Sequence, residues 1–184
     1  MIELLSERLR LIPLDHFLLS TWHKEGRNAL ENQLQLQSSD WEIEPFFEAE
    51  TKDALENFWL PMTNEYFLDF PWYTNWEIVL TDENRSIGGI GLSGMPDQDG
   101  VTMVGYFLDK KYRQKGFASE ALKTLIDWAA TDFSLKTIIA DTPVDNLASQ
   151  NVLIKQGFKE FGLIEEVKHI ENLKVKHWRL DLKK

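Results

Sequence analysis

The chain is expected to fold as an α/β protein of the α+β kind. The sheet is central, twisted, mixed and mostly antiparallel, with one parallel strand pair and helices on both faces. Three observations predict this. Short apolar runs separated by turn signals between Trp76 and Leu108 read as an antiparallel meander. The hydrophobic period then changes from two to 3.6 across Asp109–Gly116, so a strand hands over to a helix. An apolar strand, 136-KTIIADT-142, follows that helix, and a strand, helix, strand succession implies a parallel crossover.

The elements are justified in order as follows. Residues 7-ERLRLIPLD-15 set Leu9, Leu11 and Pro13 against Arg8, Arg10 and Ile12, a strand that stops at Asp15, a helix cap. A helix from His16 to about Gly26 carries Phe17, Leu18, Leu19 and Trp22, and a second helical stretch covers Ala29, Leu30, Leu34 and Leu36. Residues 40–69 hold nine acidic side chains against the single base Lys52, interleaved with aromatics such as Trp41, Phe46, Phe47, Phe58 and Trp59. This segment reads as an amphipathic helix from about Pro45 to Trp59 with a solvated acidic face. It also suits a lid or wall, aromatic inside and negative at its mouth, that attracts a cationic amine.

The meander is Glu77–Thr81, 86-SIGGIGLSG-94 and 101-VTMVGYFL-108, and its glycines mark a bulge or a close backbone approach. After the central helix, Pro143 ends the parallel strand. Asp145 or Asn146 caps a helix through Gln156, with Gly157 as its stop. Phe158–Leu163 and 174-KVKHWRLDL-182 supply the last two strands.

Composition bounds the function. With 184 residues and 43% hydrophobic content, one domain spanning residues 1–184 can bury a substantial core. The absence of cysteine excludes a thiolate metal site and a cysteine nucleophile. A formal charge of −10 argues against nucleic acid as a partner. No apolar run approaches membrane-spanning length, and charges interrupt the amino-terminal 14 residues, so a cytoplasmic location away from membranes is expected. The oligomeric state is left as monomer or homodimer. No His, Asp and Glu spacing suggests a metal.

The stretch 104-VGYFLDKKYRQKGFASEALKTLIDWAA-130 carries the chemistry. Lys110, Lys111, Arg113, Lys115 and Gly116 stand where a new helix offers unpaired N–H groups and the positive end of its dipole, with Glu120, Lys123 and Asp127 pointing outward. A phosphate or pyrophosphate is the natural guest.

At these residues the chain resembles the GNAT N-acetyltransferase superfamily, in particular the RimJ/RimL-like branch of ribosomal-protein alanine and serine N-terminal acetyltransferases. The family's Arg/Gln-x-x-Gly-x-Gly/Ala signature stands here as Arg113, Gln114, Lys115, Gly116, Phe117 and Ala118. The branch pattern downstream is present as Asn146, Ser149, Val152, Lys155, Gly157 and Phe158, and Glu7-Arg8-Leu9-Arg10-Leu11 matches a common opening. The resemblance implies a GNAT-like fold and acetyl-CoA as co-substrate, with the amides of Gln114, Lys115, Gly116, Phe117, Ala118 and Ser119 holding its pyrophosphate and Arg113 among the cations available to the other phosphate. It implies that pantetheine pairs with the backbone of Tyr106, Phe107 and Leu108, where the fourth strand of the family's sheet splays from the fifth, and that Asn146 contacts the same arm. The acceptor is then a primary amine, a protein N-terminus or a small cationic molecule. A non-catalytic acyl-CoA-binding module is the alternative.

Acetyl transfer needs a neutral amine, an N–H donor for the oxyanion and a proton for the departing thiolate. The donor is expected from backbone at a bulged strand ending in Leu108. Many relatives place a tyrosine acid where this chain has Leu153. Ser149 is the nearest substitute, although its other role is a hydrogen bond to the helix or cofactor. Glu77 is a candidate base if it faces the cleft, its bland alternative being an exposed strand carboxylate. Asp109 reads as a turn residue, and His169 and His177 as surface or strand-pairing histidines.

Overall fold

The computed structural model describes residues 2–166 and 174–182. Eight strands form one sheet in the order β1-β2-β3-β4-β5-β6-β8-β7: β1 Leu4–Leu5, β2 Leu9–Pro13, β3 Asn75–Leu80, β4 Arg85–Leu92, β5 Val101–Leu108, β6 Thr137–Pro143, β7 Lys159–Glu166 and β8 Lys174–Asp181. β5 and β6 are its parallel pair; the other neighbours are antiparallel.

Helices α1 (His16–Glu25) and α2 (Arg27–Gln33) follow β2, while α5 (Phe117–Ala129) and α6 (Leu147–Lys155) flank β6 in sequence. The Asp15 carboxylate accepts from Leu18 N at 2.9 Å, a cap of the kind worth about 1 kcal/mol. Gly26, at φ 89°, separates α1 from α2.

The sheet is apolar on both faces, and the strand period sorts the residues. Trp76, Ile78 and Leu80 pack with Leu122, Leu125 and Ala129 of α5 in the main core. Ile12 and Val79 pack with Leu36 on the other side, next to a cluster built from Leu14, Leu18, Leu19, Leu30 and Leu55. A single strand therefore serves two cores, which is why β3 is buried at every position.

Between α2 and β3 the helix expected to end near Trp59 runs further. α3 (Pro45–Ala54) passes through a π turn, Leu55–Trp59, into α4 (Leu60–Glu65). Leu60 N bonds the Leu55 carbonyl five residues back, widening the turn just before Pro61, which has no N–H to continue an α ladder. α3 has no fully buried residue; Phe46 and Phe47 are half-buried and meet each other edge to face.

Candidate active site

β5 is the hinge of the site. It pairs with β4 along Val104–Leu108, but with β6 only at Val101, Thr102 and Met103. Past Met103 the two parallel strands part, and the cleft-facing edge of β5 is left open. The ladder decides which groups face that opening. Ser93 N bonds Met103 O and Asp109 N bonds Ile87 O, so odd-numbered residues of β5 turn their backbone groups to β4. Those of Val104, Tyr106 and Leu108 face the cleft. Phe107, expected to pair with pantetheine through its backbone, instead contributes its ring on the α2 face. The expected bulge also lies elsewhere: the register shift is in the β3–β4 pairing at Ile78/Val79, and β5 itself is regular.

At the far end of β5, Asp109 is buried and caps a short 3₁₀ turn, Lys110–Tyr112, by accepting from Lys111 N. The chain then bends through Gln114 at φ 61° and Gly116 at φ 85°, both left-handed. Gly116 is the N-cap of α5 and supplies no side chain, so the amides of the first turn are not capped by one. Alternating left-handed residues before an uncapped helix start concentrate N–H groups on one point, the arrangement that receives a phosphate.

This turn is braced from two sides. Arg8, just before β2, donates to Lys115 O at 3.0 Å, lies 4.5 Å from the Phe117 ring centroid, and pairs with Glu120. Glu120, expected to point outward, accepts from Arg8 N, Arg8 Nε and the Ser6 hydroxyl, each at 2.8 Å. Partial burial raises the Glu120 pKa, but those donors outweigh it and the carboxyl is held below its ordinary range. Sequence reasoning missed Arg8 as a site residue; the opening it belongs to was visible, and its distant contact was not. On α5's other flank, Gln156 Nε2 donates to Ser119 Oγ at 2.7 Å and to its carbonyl at 3.1 Å.

Arg113, expected among the cations available to a phosphate, is engaged within the protein. Its guanidinium donates to Leu108 O at 3.0 and 2.8 Å and forms a bidentate pair with Glu44 at 2.6 and 2.7 Å. The side-chain bond from Arg113 is the main reason the Glu44 carboxyl falls to about 2, against a smaller opposing effect of burial. Lys110 meets Glu42 through its amide, 2.9 Å from the Glu42 carbonyl, and through its ammonium, 3.6 Å from the carboxylate. Lys111 Nζ reaches Asp40 O at 3.3 Å. The acidic strand of chain before α3 is thus strapped over the basic turn, and Lys115 extends over the Tyr112 ring.

Across the cleft, Asn146 Oδ1 caps α6 by accepting from Ser149 N at 3.1 Å. Ser149 Oγ lies 2.9 Å from the Tyr106 hydroxyl. Leu153 is fully buried in the main core.

Glu77 is not an exposed carboxylate. It is 0% exposed, and its oxygens accept from Arg27 twice, from Asn75 and from Ser86 at 2.5–3.1 Å. Arg27 also pairs with the buried Glu31, which accepts from the Ser39 amide and hydroxyl. The Arg27 guanidinium lies 3.6 Å from the Trp41 ring centroid and 4.8 Å from that of Trp22. Trp22 contacts Trp59 at 6.0 Å, and Trp41 meets Phe107 edge to face at 5.1 Å. An aromatic wall backed by a buried ion network therefore adjoins the α2 face of β5. His177 Nδ1 lies 2.7 Å from Asp141 on the neighbouring strand, a strand-pairing contact as expected; His169 lies outside the described residues. Among the described residues, no three His, Asp or Glu side chains converge so as to hold a metal, and no helix is long and apolar enough to cross a membrane.

Set against known proteins, residues 16–159 match the acetyltransferase (GNAT) domain. The chain belongs to the GNAT family. The N-acetyltransferase YjdG of Bacillus subtilis is 30% identical over 97% of this chain and 97% of its own length. The ribosomal-protein-serine acetyltransferase of Escherichia coli is 27% identical over about half of each chain. Among solved structures, RimL, a ribosomal L7/L12 α-N-protein acetyltransferase in complex with coenzyme A, superimposes with a TM-score of 0.68 at 19% identity, covering 98% of both chains. The ribosomal-protein-S5-alanine acetyltransferase of Vibrio fischeri gives 0.66 at 18%, covering 98% of this chain and 97% of its own. These last two likenesses concern the fold. N-acetyl transfer is the chemistry of the family.

Proposed function

We propose that this GNAT protein transfers the acetyl group of acetyl-CoA to a primary amine, a protein N-terminus or a small cationic amine, by direct attack of the amine on the thioester. The observation that carries this reading is the open edge of β5 lying next to an uncapped helix start. The N–H groups from Gln114 to Ser119 receive the pyrophosphate, and the cleft-facing groups of Tyr106 and Leu108 N–H hold the pantetheine arm as an added strand would be held. Asn146, at the opposite lip, bounds the same arm. Arg113 serves by fixing the Leu108 carbonyl, and the cleft-facing N–H of Tyr106, at the reactive end of the arm, is the oxyanion donor in this reading.

In the reaction the acceptor ammonium first gives one proton to water; the neutral amine then attacks, a C–N bond forms, the C–S bond breaks, the sulfur leaves with the electron pair, and the second nitrogen proton passes to water, which protonates the thiolate. Ser149 is placed as a hydrogen-bond donor to the sulfur. Glu77 is assigned to the wall, because taking up a proton would cost it one of four bonds. The aromatic surface from Trp22 to Phe107 faces the acceptor, and the exposed acids Glu48, Glu50, Asp53 and Glu56 draw cations toward it. Because relatives act on ribosomal-protein N-termini, peptides with N-terminal Ser or Ala head the panel of acceptors, followed by polyamines and aminoglycosides. Release of free thiol with an acetyl group found on nitrogen by mass spectrometry is the expected result. Tight CoA binding with no amine acetylated would overturn it.

A further inference from the structure

The sequence gives Tyr106 a backbone role, and the fold gives its side chain another. Past Met103 and Ile139 the parallel strands share no ladder, yet one side-chain bridge crosses the gap there. The Tyr106 hydroxyl, reaching from β5, lies 2.9 Å from Ser149 Oγ and 3.2 Å from the Ser149 carbonyl in the first turn of α6.

The depth of this bridge matters. An arm entering from the α5 N-terminus passes Leu108 first and Tyr106 next, running toward the point where the strands close at Met103. The hydroxyl pair therefore stands where the reactive end of that arm arrives. Leu153, one helical turn further along α6, is buried in apolar core and offers no polar group. The phenol comes from the strand instead.

A serine in a helix ordinarily turns its hydroxyl back to a carbonyl one turn earlier. Tyr106 competes with that rotamer by engaging Ser149 Oγ from outside the helix. We propose that Tyr106 is a positioning residue for acyl transfer, its phenol donating to Ser149 Oγ so that the Ser149 proton is directed at the departing sulfur. No proton need leave either residue: Ser149 stabilises the thiolate by a charge-assisted hydrogen bond, and solvent later protonates it. Burial pushes the Tyr106 phenol up to about 12, so it keeps its proton at any working pH, and with either oxygen able to donate, the direction of the bond is what the variants below read. This inference rests on the acetyl-CoA reading above.

The test uses CoA itself and needs no acceptor. The chain has no cysteine, so the CoA sulfur is the sole thiol in the complex, and its pKa follows from the pH dependence of its alkylation. Ser149→Ala is expected to raise the bound thiol pKa by about one unit, the worth of one hydrogen bond to a charged acceptor. Tyr106→Phe should raise it comparably, the double variant no further than Ser149→Ala, and Ser149→Thr should restore it. Calorimetry below the thiol pKa should show that every variant still binds CoA, so that a shifted thiol is not loss of the site. If Tyr106→Phe leaves the bound thiol unchanged, or if the two effects add, the pairing is overturned while the donor site stands. If the unaltered chain binds no CoA, the donor-site reading falls and this inference with it.

Discussion

The two sides of the parted strands are built from different material. The donor side, β5 through α5, presents backbone: amides at a left-handed turn, an open strand edge, and side chains such as Arg8 and Arg113 that hold this backbone in place. The acceptor side presents side chains drawn from α1, α2, the strap, β3 and β4, meeting in a buried network around Arg27. In the proposed reading, backbone groups take the part that acyl-CoA molecules share and the side-chain surface takes the acceptor. Side-chain surfaces can diverge while the network beneath them keeps its shape.

The contrast predicts where substitutions will act on stability and where on cofactor affinity. Glu77→Ala, on the acceptor side, leaves the partly buried Arg27 with one of its two carboxylates and should cost about 3 kcal/mol of stability, measured by urea unfolding. CoA affinity of the folded fraction should be unchanged; a loss of CoA binding would mean the two sides are coupled through β4. Gly116→Val acts the other way. A β-branched residue at φ 85° strains the turn by about 1–2 kcal/mol and sets its Cβ 3.4 Å from the Arg8 guanidinium that braces it, so CoA affinity should fall tenfold or more by calorimetry.

Arg8→Ala removes a brace without touching the anion position. It should weaken CoA by about fivefold, close to 1 kcal/mol, while Arg8→Lys should recover little because the Lys115 carbonyl and Glu120 are held by separate nitrogens. The smallest effect is expected at the strap. Glu44→Gln should cost under about 1 kcal/mol, since both partners are partly solvated. Its sign with pH is fixed by a carboxyl held near 2 when folded. The stabilisation is complete above the unfolded value of about 4.5 and is lost as pH falls toward 2, so wild type and variant should converge in acid. A gain in CoA affinity for Glu44→Gln would show that the strap competes with phosphate for Arg113.

Much of the donor side was legible because its signals are local. The change of period at Asp109–Gly116, the glycine at φ 85° and the α6 cap at Asn146 each depend on neighbours within a few residues. Orientation was not legible. Arg113 reads as a cation for phosphate until Glu44, 69 residues away, is seen to occupy it. Glu77 reads as a strand carboxylate until Arg27, 50 residues away, covers it. The helix expected over Pro45–Trp59 continues past Pro61, because the widened π turn Leu55–Trp59 accommodates a residue with no N–H.

By itself the sequence determined the order of the elements, the parallel crossover, the turn into α5 and the resemblance to the GNAT family, because periodicity, capping and glycine-containing turns are properties of short segments. Only the tertiary structure decided which residues of β5 face the cleft, which charges are already paired, and that a tyrosine on a strand meets a serine on a helix. Those depend on the register and parting of strands and on contacts spanning tens of residues, and no local pattern encodes them.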